Sequence, residues 1–150
     1  MNGFNIATLN CRGAIKNREH QDTLHSFFEV NKLNVILLQE THVNSLDIKK
    51  DIDKKFNCDS YWSFGSSNSR GVAILIFKNF KYEKIKFQTD YDGRVISIDI
   101  KSEFGEMRLM SIYLPNDITD RKQFLREIDR FFYTSAPLIG IEHIFSGSLL

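Results

Sequence analysis

Three short polar clusters hold the side chains that could do chemistry together in this 150-residue sequence: Asn10-Cys11-Arg12-Gly13, Gln39-Glu40-Thr41-His42 and Tyr113-Leu114-Pro115-Asn116-Asp117. They offer a carboxylate, amide carbonyls, an imidazole and a phenol. A carboxylate beside an amide oxygen is a donor set for a hard divalent cation, and hydroxyl and amide donors can hold a phosphate. Each cluster alone has an ordinary explanation, because strands commonly end in polar turns. Their joint meaning depends on whether the elements carrying them converge.

The element before Glu40 is the most informative. Val35-Ile36-Leu37-Leu38 is an unbroken apolar run too short for a helix core, and it predicts a strand buried on both faces. Open sheets place their clefts at the carboxyl ends of such strands, which is where Glu40 falls. Phe4 to Leu9 alternates like a half-buried strand and ends at Asn10. A helix is expected from about Asn17, with Leu24, Phe27 and Phe28 on its apolar face. The order strand–helix–strand with short connections is a βαβ unit, so the first two strands should be parallel.

After His42, Asn44 or Ser45 can cap a second helix whose Ile48, Ile52 and Phe56 recur every four residues. From Ser60 the pattern becomes one of strands. Tyr61 to Phe64, Val72 to Phe77, Ile85 to Gln88, Val95 to Lys101 and Met107 to Leu114 are separated by turn residues, including Asp92-Gly93. Ile96, Ile98 and Ile100 alternate with Ser97, Asp99 and Lys101, as in a strand with one wet face. Pro115 stops the last of these strands. A third helix should follow, with Phe124, Leu125, Ile128, Phe131 and Phe132 as its stripe. Pro137-Leu138-Ile139-Gly140 begins like a further buried strand, and 141–150 shows no period. A layered α/β sandwich accommodates all these faces.

Composition narrows the partners. Lys plus Arg is 20 and Asp plus Glu 19, a formal charge of +1, so a nucleic acid would be met by a local patch rather than a global basic field. Lysines cluster around 49–55 and 78–86, but interleaved with acids and apolar residues, as on solvated faces. Two cysteines without metal-ligand spacing argue for a reducing compartment, and the longest apolar run, Val72 to Phe77, is too short to cross a membrane. An intracellular protein without a membrane partner is the expectation.

Leu9-Asn10-Cys11-Arg12-Gly13, Leu38-Gln39-Glu40-Thr41-His42, Arg70-Gly71-Val72-Ala73-Ile74 and Ile112-Tyr113-Leu114-Pro115-Asn116 occur in the order and approximate spacing found in the endonuclease/exonuclease/phosphatase superfamily. The chain resembles most the apurinic-type endonuclease domain of non-LTR (LINE-like) retrotransposons. The resemblance implies a four-layered α/β sandwich, two packed mixed sheets with outer helices, that hydrolyses phosphodiesters of DNA with Mg²⁺ or Mn²⁺. Glu40 and Asn10 would then be metal ligands. Tyr113 would reach the scissile phosphate with Asn116 nearby. His42 matches a position of the retrotransposon branch, Arg12 would face the substrate, and Arg94, after the Asp-Gly turn, would either do the same or stand as a solvent-exposed cation at a hairpin end. Nuclear location and a fused reverse transcriptase would accompany such an element.

The likeness runs from about Phe4 to Gly140 and then fails. The family's Gly-Asp-Phe-Asn motif is replaced by Gly140-Ile141-Glu142-His143-Ile144, and its final Ser-Asp-His segment has no counterpart. Residues 1–140 therefore read as the N-terminal part of such a domain and 141–150 as a divergent tail. Glu142 and His143 are the candidate substitutes for the absent aspartate and histidine. The expectation is a C-terminally truncated endonuclease domain of little or no activity, leaning on the missing part or another partner. The alternatives are a non-catalytic nucleic-acid-binding remnant or another phosphodiesterase of the superfamily.

Overall fold

Val35 to Leu38 must be covered twice, and the fold is built around that requirement. The computed structural model describes residues 3–90 and 92–132, and the backbone of 141–148. The strands are β1 (Ile6–Asn10), β2 (Val35–Gln39), β3 (Cys58–Ser63), β4 (Val72–Phe77), β5 (Glu83–Thr89), β6 (Val95–Ser102), β7 (Gly105–Tyr113) and β8 (Ile141–Ser148). The helices are α1 (Arg18–Val30), α2 (Leu46–Phe56), α3 (Ile118–Glu127) and α4 (Asp129–Phe132), with a 3-10 turn at Ala14–Lys16. One sheet has the order β1-β2-β4-β3 and the other β5-β6-β7-β8.

The two sheets pack face to face with helices outside, giving the expected four layers. Between the sheets, Val35 and Leu37 of β2 and Ile74 and Ile76 of β4 meet Ile96, Ile98 and Ile100 of β6 and Leu109 of β7. On the outer side of the first sheet, Ile36, Leu38 and Leu75 pack with Phe28 of α1 and Ile52 and Phe56 of α2. Outside the second sheet, Val95, Met110 and Ile112 are covered by Phe124, Ile128 and Phe131. Alternation along β2 thus feeds two cores at once. As the strand–helix–strand order requires, β1 and β2 are parallel, paired from Ile6 with Val35 to Asn10 with Gln39.

Five expectations need correction. Phe27 is 51% exposed, not part of the buried face of α1. Gln21, Leu24 and Phe28 lie inward instead, since neighbouring helical residues point about 100° apart. Leu125 is 50% exposed for the same reason, and the expected single third helix is interrupted at Ile128 into α3 and α4. The wet face expected for β6 is absent: Val95 to Ile100 are all buried. Residues 141–148 form β8 despite their lack of period, in parallel register with β7 from Glu106–Ile141 to Tyr113–Ser148. A ladder is made by backbone N–H and C=O groups and needs no side-chain pattern. The strand expected to begin at Pro137 lies outside the described residues.

Asp99 can be buried because Arg108, opposite it on β7, is buried too. Arg108 Nε donates to Asp99 Oδ1 at 2.6 Å and Nη2 to Oδ2 at 2.7 Å, a two-point pair, while Nη1 donates to the Phe131 carbonyl at 2.8 Å. The arginine therefore clamps α4 to the second sheet. Removing one partner of a buried pair leaves an unpaired charge and costs about 3–5 kcal/mol. Arg108→Met should lose stability of that order in urea unfolding, and adding Asp99→Leu should recover most of it.

Candidate active site

The three polar clusters meet at one end of the sandwich. Asn10 and Gln39 end paired parallel strands, so the residues that follow emerge side by side. Had β2 continued, alternation would have sent the Glu40 side chain to the helix face. Instead Glu40 adopts a left-handed backbone at φ 50°, and its carboxylate meets Asn10 and Tyr113. Arg12 (φ 47°), His42 (φ 53°) and Arg70 (φ 61°) are left-handed in the adjoining turns. Such backbone costs on the order of 1–3 kcal/mol per residue and persists where the surroundings impose it.

Backbone hydrogen bonds impose it here. Gly13 N–H donates to Glu40 C=O at 2.8 Å, Thr41 N–H to Gly71 C=O at 2.9 Å, and His42 N–H to Arg70 C=O at 3.0 Å. Gly71 N–H in turn donates to Gly93 C=O at 2.9 Å, and Tyr113 N–H to Arg94 C=O at 2.8 Å, which carries the lacing to the second sheet. Below this layer a buried polar bridge joins the sheets. Gln39 Nε2 donates to Ser111 Oγ at 3.0 Å, and Ser111 Oγ donates to the Leu38 carbonyl at 2.8 Å.

Among the side chains, Asn10 Nδ2 donates to Glu40 Oε1 at 3.2 Å. The Tyr113 hydroxyl faces the Glu40 carboxylate and the Asn116 side chain closely enough for both to act on its titration, and the Arg94 guanidinium lies 5.6 Å from the Tyr113 ring centre. His42 Nε2 is 3.9 Å from Glu40 Oε2. Arg12 stands exposed on the turn after β1, its N–H donating to Asn10 Oδ1 at 3.2 Å. The structure therefore gathers Asn10, Glu40, His42, Tyr113, Asn116 and Arg94, with Arg12 outside the group.

Burial, with the nearby Glu40 charge added to it, raises the Tyr113 phenol above its ordinary pKa, so it remains an O–H donor at neutral pH. Burial lowers His42, Lys16 pushes the same way and Glu40 opposes them, so the imidazole is neutral at pH 7 and its contact with Glu40 is not an ion pair there. Cys11, also buried and also beside Glu40, has its thiol pushed up to about 12 and offers no thiolate.

Glu142 and His143 do not complete this cluster. The β7–β8 register sets them beside Met107 and Arg108, whereas Ser148 aligns with Tyr113. Tyr113 lies six residue steps along the strand from Met107, about 20 Å at 3.3 Å per step. Sequence reasoning missed Ser63, Asp90, Lys16 and the Gln39–Ser111 bridge. Glycines at 65, 71 and 93, each between strands, were the available signal for the close approach of their loops.

A family model described as Endonuclease/Exonuclease/phosphatase family matches residues 7–139. Solved structures share the fold. An AP endonuclease from Archaeoglobus fulgidus is 15% identical with a TM-score of 0.68, covering 97% of this chain and 56% of that one. The endonuclease domain of TRAS1, a telomere-specific non-LTR retrotransposon, is 17% identical with a TM-score of 0.68, covering 96% and 59%. D. rerio TDP2 complexed with single strand DNA product is 16% identical with a TM-score of 0.68, again covering 96% and 59%. The chain thus spans 56 to 59% of the length of these structures.

Two measurements check the site. Glu40→Gln should lower the pKa of both Tyr113 and His42, since the carboxylate raises each, while Lys16→Ala should raise His42 alone; NMR titration reads both. Because folding lowers the His42 pKa, its stability contribution is complete above the ordinary imidazole value and is lost as pH falls through the folded one. Gly71→Ala, at φ 91° with a Cβ 2.2 Å from Thr41 Oγ1, should cost about 1–3 kcal/mol in chemical unfolding.

Proposed function

Because the chain belongs to the Endonuclease/Exonuclease/phosphatase family, we propose that its cleft holds a divalent cation on Glu40 and Asn10 and addresses a phosphodiester of DNA, as a retrotransposon-type endonuclease domain. The observation that carries this reading is the Asn10–Glu40–Tyr113–Asn116 cluster at the carboxyl ends of β1, β2 and β7. DNA as the substrate is supported by the four sequence motifs and by the DNA-processing proteins that share the fold.

The residues fit a cation of the Mg²⁺ class. Glu40 is largely withdrawn from solvent, at 15% side-chain exposure, yet among the described residues no lysine or arginine pairs with it. The Asn10 amide N–H answers it instead, so its negative charge remains for a metal. Carboxylate and amide oxygens suit a hard ion that keeps much of its water shell. Among the described residues no group of three His, Cys, Asp and Glu side chains could hold a metal, so Glu40 and Asn10 would hold it with solvent and phosphate oxygens. When bound there, the cation supplies Lewis-acid polarisation of the phosphate.

The protein's own groups have separate tasks. Tyr113, held protonated, donates a hydrogen bond to an anionic oxygen. Asn116 orients the phenol. Arg94, whose side chain keeps 23% exposure and whose Nη1 has no hydrogen-bond partner among the described residues, offers an N–H to a phosphate oxygen. Neutral His42 stands beside Glu40 without competing for its charge.

Turnover by this chain should be weak. Glu40 is the carboxylate at the centre of the cluster and is committed to the cation, while Glu142 aligns with Met107. General-base action contributes about 10²- to 10⁴-fold, and the metal side of a site does not replace it. In nicking assays with supercoiled and abasic DNA in Mg²⁺, wild type should differ little from Glu40→Ala. Robust cleavage abolished by Glu40→Ala would overturn the claim of weakness. Mn²⁺ should broaden the NMR signals of Asn10 and Glu40 in wild type but not in Glu40→Gln, and the absence of such broadening would overturn the metal site.

A further inference from the structure

Residues 92–94 lead into β6, and their placement is set by one carboxylate. Asp90 Oδ1 accepts the Ser63 hydroxyl at 2.7 Å and the Asp92 N–H at 3.2 Å, and Asp90 Oδ2 accepts the Arg94 N–H at 3.2 Å. Ser63, buried at the end of β3, accepts the Gly93 N–H at 2.8 Å through the same oxygen with which it donates to Asp90. A carboxylate and a buried hydroxyl thus bond the backbone N–H groups of Asp92, Gly93 and Arg94.

The seat of this loop is tight. A Cβ on Gly93 would come within 2.8 Å of Gly71 N and of Phe64 O, and within 2.9 Å of Gly65 Cα. Loop 65–71 and Gly93 therefore press together, and Gly71 N–H donates to Gly93 C=O. The next residue is Arg94, whose C=O accepts from Tyr113 N–H and whose guanidinium lies over the Tyr113 ring. Among the described residues Arg94 Nη1 has no hydrogen-bond partner, and the guanidinium, at 23% side-chain exposure, stands beside the Tyr113 phenol that faces Glu40. Asp92 binds elsewhere: it pairs with Arg70 at 2.5 Å and reaches Arg94 Nε only at 3.9 Å.

We propose that Asp90, through Ser63, is a positioning residue that fixes Arg94 over Tyr113 to receive a phosphate of the nucleic acid. The proposal rests on the reading of the cleft as a DNA phosphodiester site. It has a consequence of distinctive sign. If Asp90 were only a negative charge near the cleft, neutralising it would tighten DNA binding. As a positioning residue, its loss releases Arg94 and weakens binding even though a repulsive charge is removed.

The test uses a fluorescein-labelled DNA duplex in Mg²⁺ over a range of salt, with wild type, Asp90→Ala, Asp90→Asn, Arg94→Gln and the double variant Asp90→Ala/Arg94→Gln. Asp90→Ala should weaken binding about three- to tenfold, reduce the salt slope by about one contact as Arg94→Gln does, and add nothing in the double variant. Asp90→Asn, which keeps an oxygen acceptor for Ser63, should recover part of the affinity. Tighter binding by Asp90→Ala, or additive losses in the double variant, would overturn the proposal. A second readout is independent of DNA: the NOE between Arg94 Hε and the Tyr113 ring should be present in wild type and lost in Asp90→Ala while the fold's dispersed spectrum is retained. If that contact survives in Asp90→Ala, the positioning role is refuted. If wild type binds no DNA while the contact is lost as expected, the reading of the cleft fails and the positioning of Arg94 stands.

Discussion

The double burial of β2 is the constraint on which the other layers depend. Four apolar side chains alternate between two cores, so one face must find a helix layer and the other a second sheet. Neither cover is optional, because exposing either face would return large apolar side chains to water at roughly 25 cal/mol per Å². The strand then ends on Gln39, whose amide is buried and bonded to Ser111 of the opposite sheet. A polar bridge across an otherwise apolar seam is satisfied in only one register. It holds the carboxyl end of β2 against the end of β7, and so holds Glu40 against Tyr113.

Above that seam the backbone takes over from side-chain packing. The turns after β1 and β2, the approach to β4 and the loop before β6 are tied to one another by N–H to C=O bonds, with Gly71 and Gly93 at the closest approaches. Left-handed residues that would be unfavourable singly are held because each of these bonds needs its neighbours' geometry. This resembles the way functional sites store backbone strain. The strain re-aims Glu40 from the helix side of its sheet toward the seam, which continued strand geometry could not do.

The electrostatics of the cluster are those of a place kept for a positive group. Glu40 is mostly buried, met by the Asn10 amide, and flanked by an imidazole that burial keeps neutral. The contact of Arg94 is with the tyrosine ring rather than with the carboxylate. The second acid–base group that hydrolysis would need is not supplied by Glu142 or His143, whose register lies far down β8.

Much of this was legible in the linear chain because it depends on local patterns. The apolar run 35–38 determined a doubly covered strand, strand–helix–strand order determined a parallel pair, and the polar residues after three strands named Asn10, Glu40 and Tyr113. Sequence patterning was less reliable where a partner decides the outcome. The polar residues of β6 were read as wet because the sequence cannot show that Arg108 pairs with Asp99. Phe27 and Leu125 were read as core because an apolar residue beside a buried face looks like part of it. β8 was invisible because backbone pairing leaves no side-chain period. The clasp of Asp90 and Ser63 on the Arg94 loop joins residues 27 positions apart, and the left-handed turn at Glu40 is imposed by neighbours from both sheets. Local patterning decided which groups reach the end of the sandwich. Contacts between distant segments decided where those groups point, because side-chain direction there is set by the loops packed around it.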